Sequence, residues 1–160
     1  MSTLLAAQNE FYVDAWVARL TIHGLPQTAG SKRAGRAGGK ANGKVVIFDD
    51  NPRSKGWKET CGQVAMALMS GRKPFEQPLR LEATFYLPRA KWHYIKSGIS
   101  PRAPRYHATK PDTTKLLRAL EDGLTGQLWK DDAQIAEQIV SKRFCAPGEE
   151  RAVVTVRVLA

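Results

Sequence analysis

Residues 110–135 read KPDTTKLLRALEDGLTGQLWKDDAQI. Wound at about 100° per residue, Leu116, Leu117, Leu120 and Leu124 gather on one side of a helix, while Asp112, Lys115, Arg118 and Asp122 share the other. Pro111 fixes the chain just ahead of this helix. Asp112 suits the N-cap or first turn, where a carboxylate meets unpaired backbone N–H groups. Gly126 is expected to break the helix. The leucine stripe marks the side that must pack on a core.

Upstream, residues 15–23 (AWVARLTIH) alternate apolar and polar and predict a strand, ended by Gly24 and Pro26. VVIF at 45–48 predicts a short strand that forms a long hairpin with the first. A helix is expected from about Ser54 to Ser70, with Trp57, Cys61, Val64, Ala65 and Leu68 facing inward and Gly71 as its stop. Leu79–Leu87 reads as a strand whose inward side carries Leu79, Leu81, Ala83, Phe85 and Leu87. Downstream, Ala136–Phe144 and Ala152–Leu159 read as two strands joined by APGEE (146–150) into an antiparallel hairpin. Residues 1–10 read as a frayed end. The order predicts one α+β domain over 1–160, a mixed β-sheet with two main helices packed on one face.

The chain has 160 residues and a formal net charge of +10, a surplus that favours a polyanionic partner such as nucleic acid. No apolar run approaches the roughly 20 residues that cross a bilayer, and no secretory signal is evident at the N-terminus, so the expectation is a cytoplasmic protein with no membrane partner. Cys61 and Cys145 are far apart and form no CxxC pair, which agrees with reduced thiols and no zinc site.

The positive charge lies in two segments without acids. GSKRAGRAGGKANGK (30–44) holds no large apolar side chain and predicts a mobile basic loop at about 28–44, with Lys32, Arg33, Arg36 and Lys40 available to a phosphate backbone. PRAKWHYIKSGISPRAPRYHATKP (88–111) mixes Arg89, Lys91, Lys96, Arg102, Arg105 and Lys110 with Trp92, Tyr94 and Tyr106. Cations among aromatics hold phosphates and unstacked bases together, so this second mobile loop is also read as DNA-binding. His93 and His107 receive no catalytic role.

Acids in so basic a chain suggest a divalent ion working on phosphate. Asp112 and Asp122 are ten residues apart, about 15 Å along a helix, too far for one ion. The stretch Thr125–Asp132 spans at most about 25 Å, enough to fold back and bring Asp131 or Asp132 near Asp112. Each of these acids also has a plainer reading as a cap or solvated turn. Asp49–Asp50, followed by Asn51 and Pro52, reads as turn chemistry. Carboxylates with open positions suit Mg²⁺ or Mn²⁺, and Lys110, Lys115 and Arg118 are the local cations able to stabilise anionic oxygen.

The acid that opens the helix, its leucines, the D-x-L-T turn and the W-x-D-D-A-Q ending together resemble the signature of RusA-type Holliday junction resolvases of bacteriophages and prophages. LPRAKWHY and SPRAPRYHATKPD resemble phage members too. The resemblance implies a RusA-like fold and a homodimer that resolves four-way DNA junctions with Mg²⁺ or Mn²⁺ in a bacterial host cell. It places family acids on Asp112 and Asp132, with Asp131 beside them. The family's D-x-D-N motif here reads Asp112-Thr113-Thr114-Lys115, so the second acid falls on Thr114, and the family lysine falls on Arg118. Thr114 brings a hydroxyl without the charge, and Arg118 stays protonated, leaving Lys115 as the alternative. The first reading is therefore a metal-dependent endonuclease of branched DNA, with Asp112, Asp131, Asp132, Lys115 and Arg118 in its site. The second is a structure-selective DNA-binding protein without catalysis. The third is an RNA-associated protein, for which no RNP-like aromatic strand is visible.

Overall fold

The computed structural model of the chain describes residues 10–12, 17–36, 45–49 and 51–159. In chain order its elements are β1 (Glu10–Tyr12), β2 (Val17–His23), β3 (Lys32–Arg36), β4 (Val45–Asp49), α1 (Ser54–Met69), β5 (Leu79–Pro88), β6 (Tyr94–Ile95), β7 (Gly98–Ile99), α2 (Thr113–Leu124), β8 (Ile135–Cys145) and β9 (Arg151–Val158). Five of the strands form one sheet in the order β1-β2-β9-β5-β8. β5 runs antiparallel to β9 and parallel to β8, so the sheet is mixed.

Alternation decides which strand lies inside. In β5 every odd position from Leu79 to Leu87 is buried, and Ala152, Val154 and Val156 of β9 repeat the pattern. Ala83 pairs with Val154 on one side and Val140 on the other, so these side chains share one face. The two helices cover that face. α1 buries Trp57, Cys61, Ala65 and Met69 at four-residue steps, and α2 buries Leu116, Leu117, Leu120 and Leu124. The helices meet at small residues: a Cβ on Gly123 would lie 2.7 Å from Cys61 Cβ and 2.8 Å from the Lys58 carbonyl oxygen. α1 stops where Ser70 turns into the left-handed region at φ 47 and donates its N–H to Met66 O.

Three expectations from the sequence change. The last two strands form no hairpin, because β5 lies between β8 and β9. The strand richest in alternating apolar residues takes the interior place, and β8 (IAEQIVSKRFC), more polar, takes the edge. VVIF does not pair with β2: Val45–Asp49 pairs instead with Lys32–Arg36 in a separate two-stranded ribbon. So Lys32, Arg33 and Arg36 lie in a strand rather than in a loop, while Lys40 lies outside the described residues. At the N-terminus, where the sequence predicts a frayed end over residues 1–10, Glu10–Tyr12 pairs with β2, and residues 1–9 lie outside the described residues.

The segment 89–111 is tied down at one ring. Phe144, near the end of β8, has the Arg89 guanidinium 4.2 Å above it and His93 and His107 against it at 5.3 and 4.7 Å between ring centres. Arg89 also donates to Pro104 O at 2.9 Å. His93 is buried in this cluster, and burial together with the nearby Lys142 charge lowers the His107 pKa. Both histidines thus serve the packing of the segment. Lys91, Lys96, Arg102, Arg105 and Lys110 stay exposed around it.

Candidate functional site

α2 organises the acids and places them at its two ends. Asp112 is the N-cap residue, exposed, and its side chain makes no capping hydrogen bond. The backbone just before it is held by a side chain from the sheet edge. Lys142 of β8 donates to Pro111 O and Thr109 O, both at 2.7 Å. Lys142 pairs in register with Phe85 and so points to the core side, where a lysine must find oxygen partners.

At the other end, α2 stops at Thr125, whose hydroxyl oxygen lies 2.8 Å from Glu121 O. Gly126 turns the chain at φ 83, and Trp129 drops fully into the core. The turn is sewn to the residues before β5: Phe75 N donates to Leu128 O at 3.0 Å and Lys130 N to Phe75 O at 3.1 Å. That tether fixes the acids that follow. Asp131 accepts from Ala133 N at 2.8 Å while Gln134 returns a bond to the Asp131 N–H, a reciprocal cap on a short 3-10 turn. Asp132 accepts from the Trp129 indole N–H at 2.9 Å and from the Thr125 hydroxyl.

Glu121 sits one helical turn before Thr125, half-buried and bonded to Gln138. Burial, then the charges of Asp132 and Asp122, push its carboxyl up to about 7. Asp122 itself pairs with Lys58 at 2.7 Å, a structural use. Lys115 and Arg118 lie on the exposed side of α2 between the two ends.

The chain therefore does not fold back toward Asp112. Asp132 is anchored at the opposite end of α2, a helix of 12 residues and so about 18 Å long. Among the described residues no three Asp, Glu, His or Cys side chains come together to hold a metal ion. The chain presents Asp132 and Glu121 at one end of α2 and Asp112 at the other. Glu121 and Lys142 did not figure among the candidates read from the sequence. The signals were there: Glu121 borders the leucine stripe one turn after Leu117, and Lys142 alternates with Val140 and Phe144.

A family model for the endodeoxyribonuclease RusA matches residues 24–157, from just after β2 into β9. The chain belongs to the RusA endodeoxyribonuclease family. The match spans both ends of α2 and the whole segment 89–111. It identifies the activity as Holliday junction resolution by endonucleolytic cleavage of branched DNA. No curated protein matches the chain. Among the described residues no helix is long and apolar enough to cross a membrane.

Proposed function

We propose that this resolvase acts as a homodimer in the cytoplasm of a bacterial host, dependent on Mg²⁺ or Mn²⁺, and that each cleavage centre is shared between two copies. The carrying observation is the separation of Asp112 from Asp132 and Glu121 along the exposed side of one helix. A two-fold axis crossing α2 near its middle runs two such helices antiparallel, and then Asp112 of each copy faces the Asp132–Glu121 pair of the other. Closed two-fold symmetry is the commonest arrangement of soluble oligomers. It also yields two equal centres, as paired nicks on two strands require.

Three carboxylates from two copies fit a hard divalent ion, and the crowding of Asp132 against Glu121 supports it, since a cation there offsets their repulsion. When bound, such an ion polarises the phosphoryl oxygen and lowers the pKa of water. The chain's own residues do the rest. Thr125 and the Trp129 indole orient Asp132. Lys115 and Arg118 meet the charge that grows on the phosphate. Thr114 stands near Asp112 as a hydroxyl donor. Asp131, committed to its cap, positions Asp132 through the backbone. Lys32, Arg33, Arg36, Lys40, Arg89, Lys91, Lys96, Arg102, Arg105 and Lys110 contact the DNA arms through phosphate. Two features favour a binder without cleavage: Thr114 where the family pattern has an acid, and Arg118 where it has a lysine.

Mixing two inactive variants tests the shared centre. Asp112→Asn and Asp132→Asn copies are refolded together and given a four-way junction. A shared centre restores one intact Asp112–Asp132 combination per heterodimer, so the product is a single nick. Centres confined to one copy leave the mixture without any cleavage, and that outcome would falsify the proposal.

A further inference from the structure

We propose that the groove beside the end of β8 is a subsite for a single unstacked nucleotide at the branch point, an assignment that rests on the junction-cleaving role of the Asp112 end. The groove has a volume of about 640 Å³, within the range of small-ligand pockets. Its walls are Tyr86, Arg89, Arg105, Tyr106, Lys142 and Arg143, together with Ser141 and Phe144. Four cations and two tyrosines line it, and no carboxylate does.

Each part suits a nucleotide. Tyr106 is 71% exposed, a large ring left in water, and the Arg105 guanidinium lies 5.5 Å from its centre. Tyr86 is fixed from the other side by Arg151 at 3.9 Å, so its ring presents a steady surface. Aromatic rings take the face of any base, and arginines beside them take the phosphate. Position gives the groove its purpose. Lys142 reaches from its wall to the carbonyls of Thr109 and Pro111, immediately before Asp112. A nucleotide seated here therefore lies next to the phosphate presented at the N-terminal end of α2. Pulling a base from an intact duplex costs unpairing and unstacking, and the cost is least where pairing is already broken. A site that must be filled by a loose base thus favours a branch over a plain duplex.

The test uses full-length protein carrying Asp132→Asn, so that binding is read without cleavage, at one fixed salt concentration. Affinity is measured for a four-way junction, a matched duplex, and junctions with one abasic nucleotide at each position around the crossover. Tyr106→Ala should weaken junction binding about 5- to 150-fold, the usual loss of one base stack, and leave duplex binding within about twofold. Tyr106→Phe should behave as Tyr106. One abasic position should weaken binding by Tyr106 protein and lose that effect in Tyr106→Ala. If junction and duplex weaken equally, or no abasic position couples to Tyr106, the groove is not a nucleotide site. Protein with Tyr106 intact that prefers no junction over duplex overturns the junction-cleaving role itself.

Discussion

The two ends of α2 carry similar acids in opposite circumstances. At the N-terminal end Asp112 is exposed and unbonded, on a backbone gripped by Lys142. At the C-terminal end Asp132 is bonded twice and crowded by Glu121. The first end is a free ligand on a fixed base, and the second is a fixed ligand with unspent repulsion. Neither is complete as a centre, and their difference is complementary: one has room for charge and the other has charge to neutralise. That contrast is the ground for the proposed sharing between copies.

The largest effect expected on this contrast comes from the fixed end. Asp132→Asn keeps the Trp129 and Thr125 contacts within reach but removes the charge. Cleavage of a junction should fall on the order of a thousandfold, the scale of losing one preorganised electrostatic group. Binding should survive or tighten, because a negative charge facing phosphate is gone. Normal cleavage by Asp132→Asn in a gel assay would remove Asp132 from the chemistry. At the free end, Lys142→Met releases the carbonyls of Thr109 and Pro111. A shift of about 1 Å in Asp112 then costs roughly ten- to hundredfold in cleavage. Since Lys142 also lines the groove, the assay should compare cleavage at saturating protein, where weaker binding is hidden.

The helix that separates the two ends was legible in the sequence, because leucines at helical spacing dictate which side is buried. So was the interior strand β5, whose strict alternation from Leu79 to Leu87 leaves little choice. The partnership of strands was not legible. APGEE can close a hairpin, and only the competition of β5 for the interior place sends β8 to the edge. The grouping of acids was hidden for a similar reason. Chain length permitted Asp132 to approach Asp112, but burial of Trp129 and the bonds from the Phe75 backbone hold the turn at the far end of α2. Contacts between residues far apart in sequence set both outcomes, and no local pattern encodes them. The segment 89–111 reads as unstructured by its prolines, yet one phenylalanine at 144 gathers it.

A smaller effect tests whether the distance between the ends is rigid. α1 and α2 touch where Gly123 meets Cys61 and the Lys58 backbone, with no room for a methyl group. Gly123→Ala should destabilise the fold by about 1–3 kcal/mol as the helices are forced apart, less what alanine returns through helix propensity. Urea unfolding reads this directly. A midpoint at or above that of the parent chain would mean that the helices separate freely and that the spacing of the acids is soft. Cys61 itself, its thiol pushed up to about 12 by burial, should resist alkylation until the chain unfolds.

The smallest effect is the most specific to the crowded end. Glu121 holds its proton up to about pH 7 in the folded chain, against 4.5 for an ordinary glutamate carboxyl. Between those values the folded state binds more protons than the unfolded one. The stabilising contribution is therefore complete below about pH 4.5 and is lost as pH rises through about 7. Because Glu121 is only half-buried, solvent screening reduces the effect to about 1 kcal/mol. Glu121→Gln removes the titration, so the gap between the variant and the parent chain should widen in the variant's favour from about pH 5 to about pH 8. Urea midpoints at both pH values read that gap, and an unchanged gap would show that neither burial nor the Asp132 charge raises the Glu121 carboxyl in the folded chain. Repeating the series with Mg²⁺ sharpens the contrast between the ends. An ion seated against Asp132 and Glu121 favours their charged forms, so it should flatten the pH dependence of the parent chain and leave Glu121→Gln unchanged.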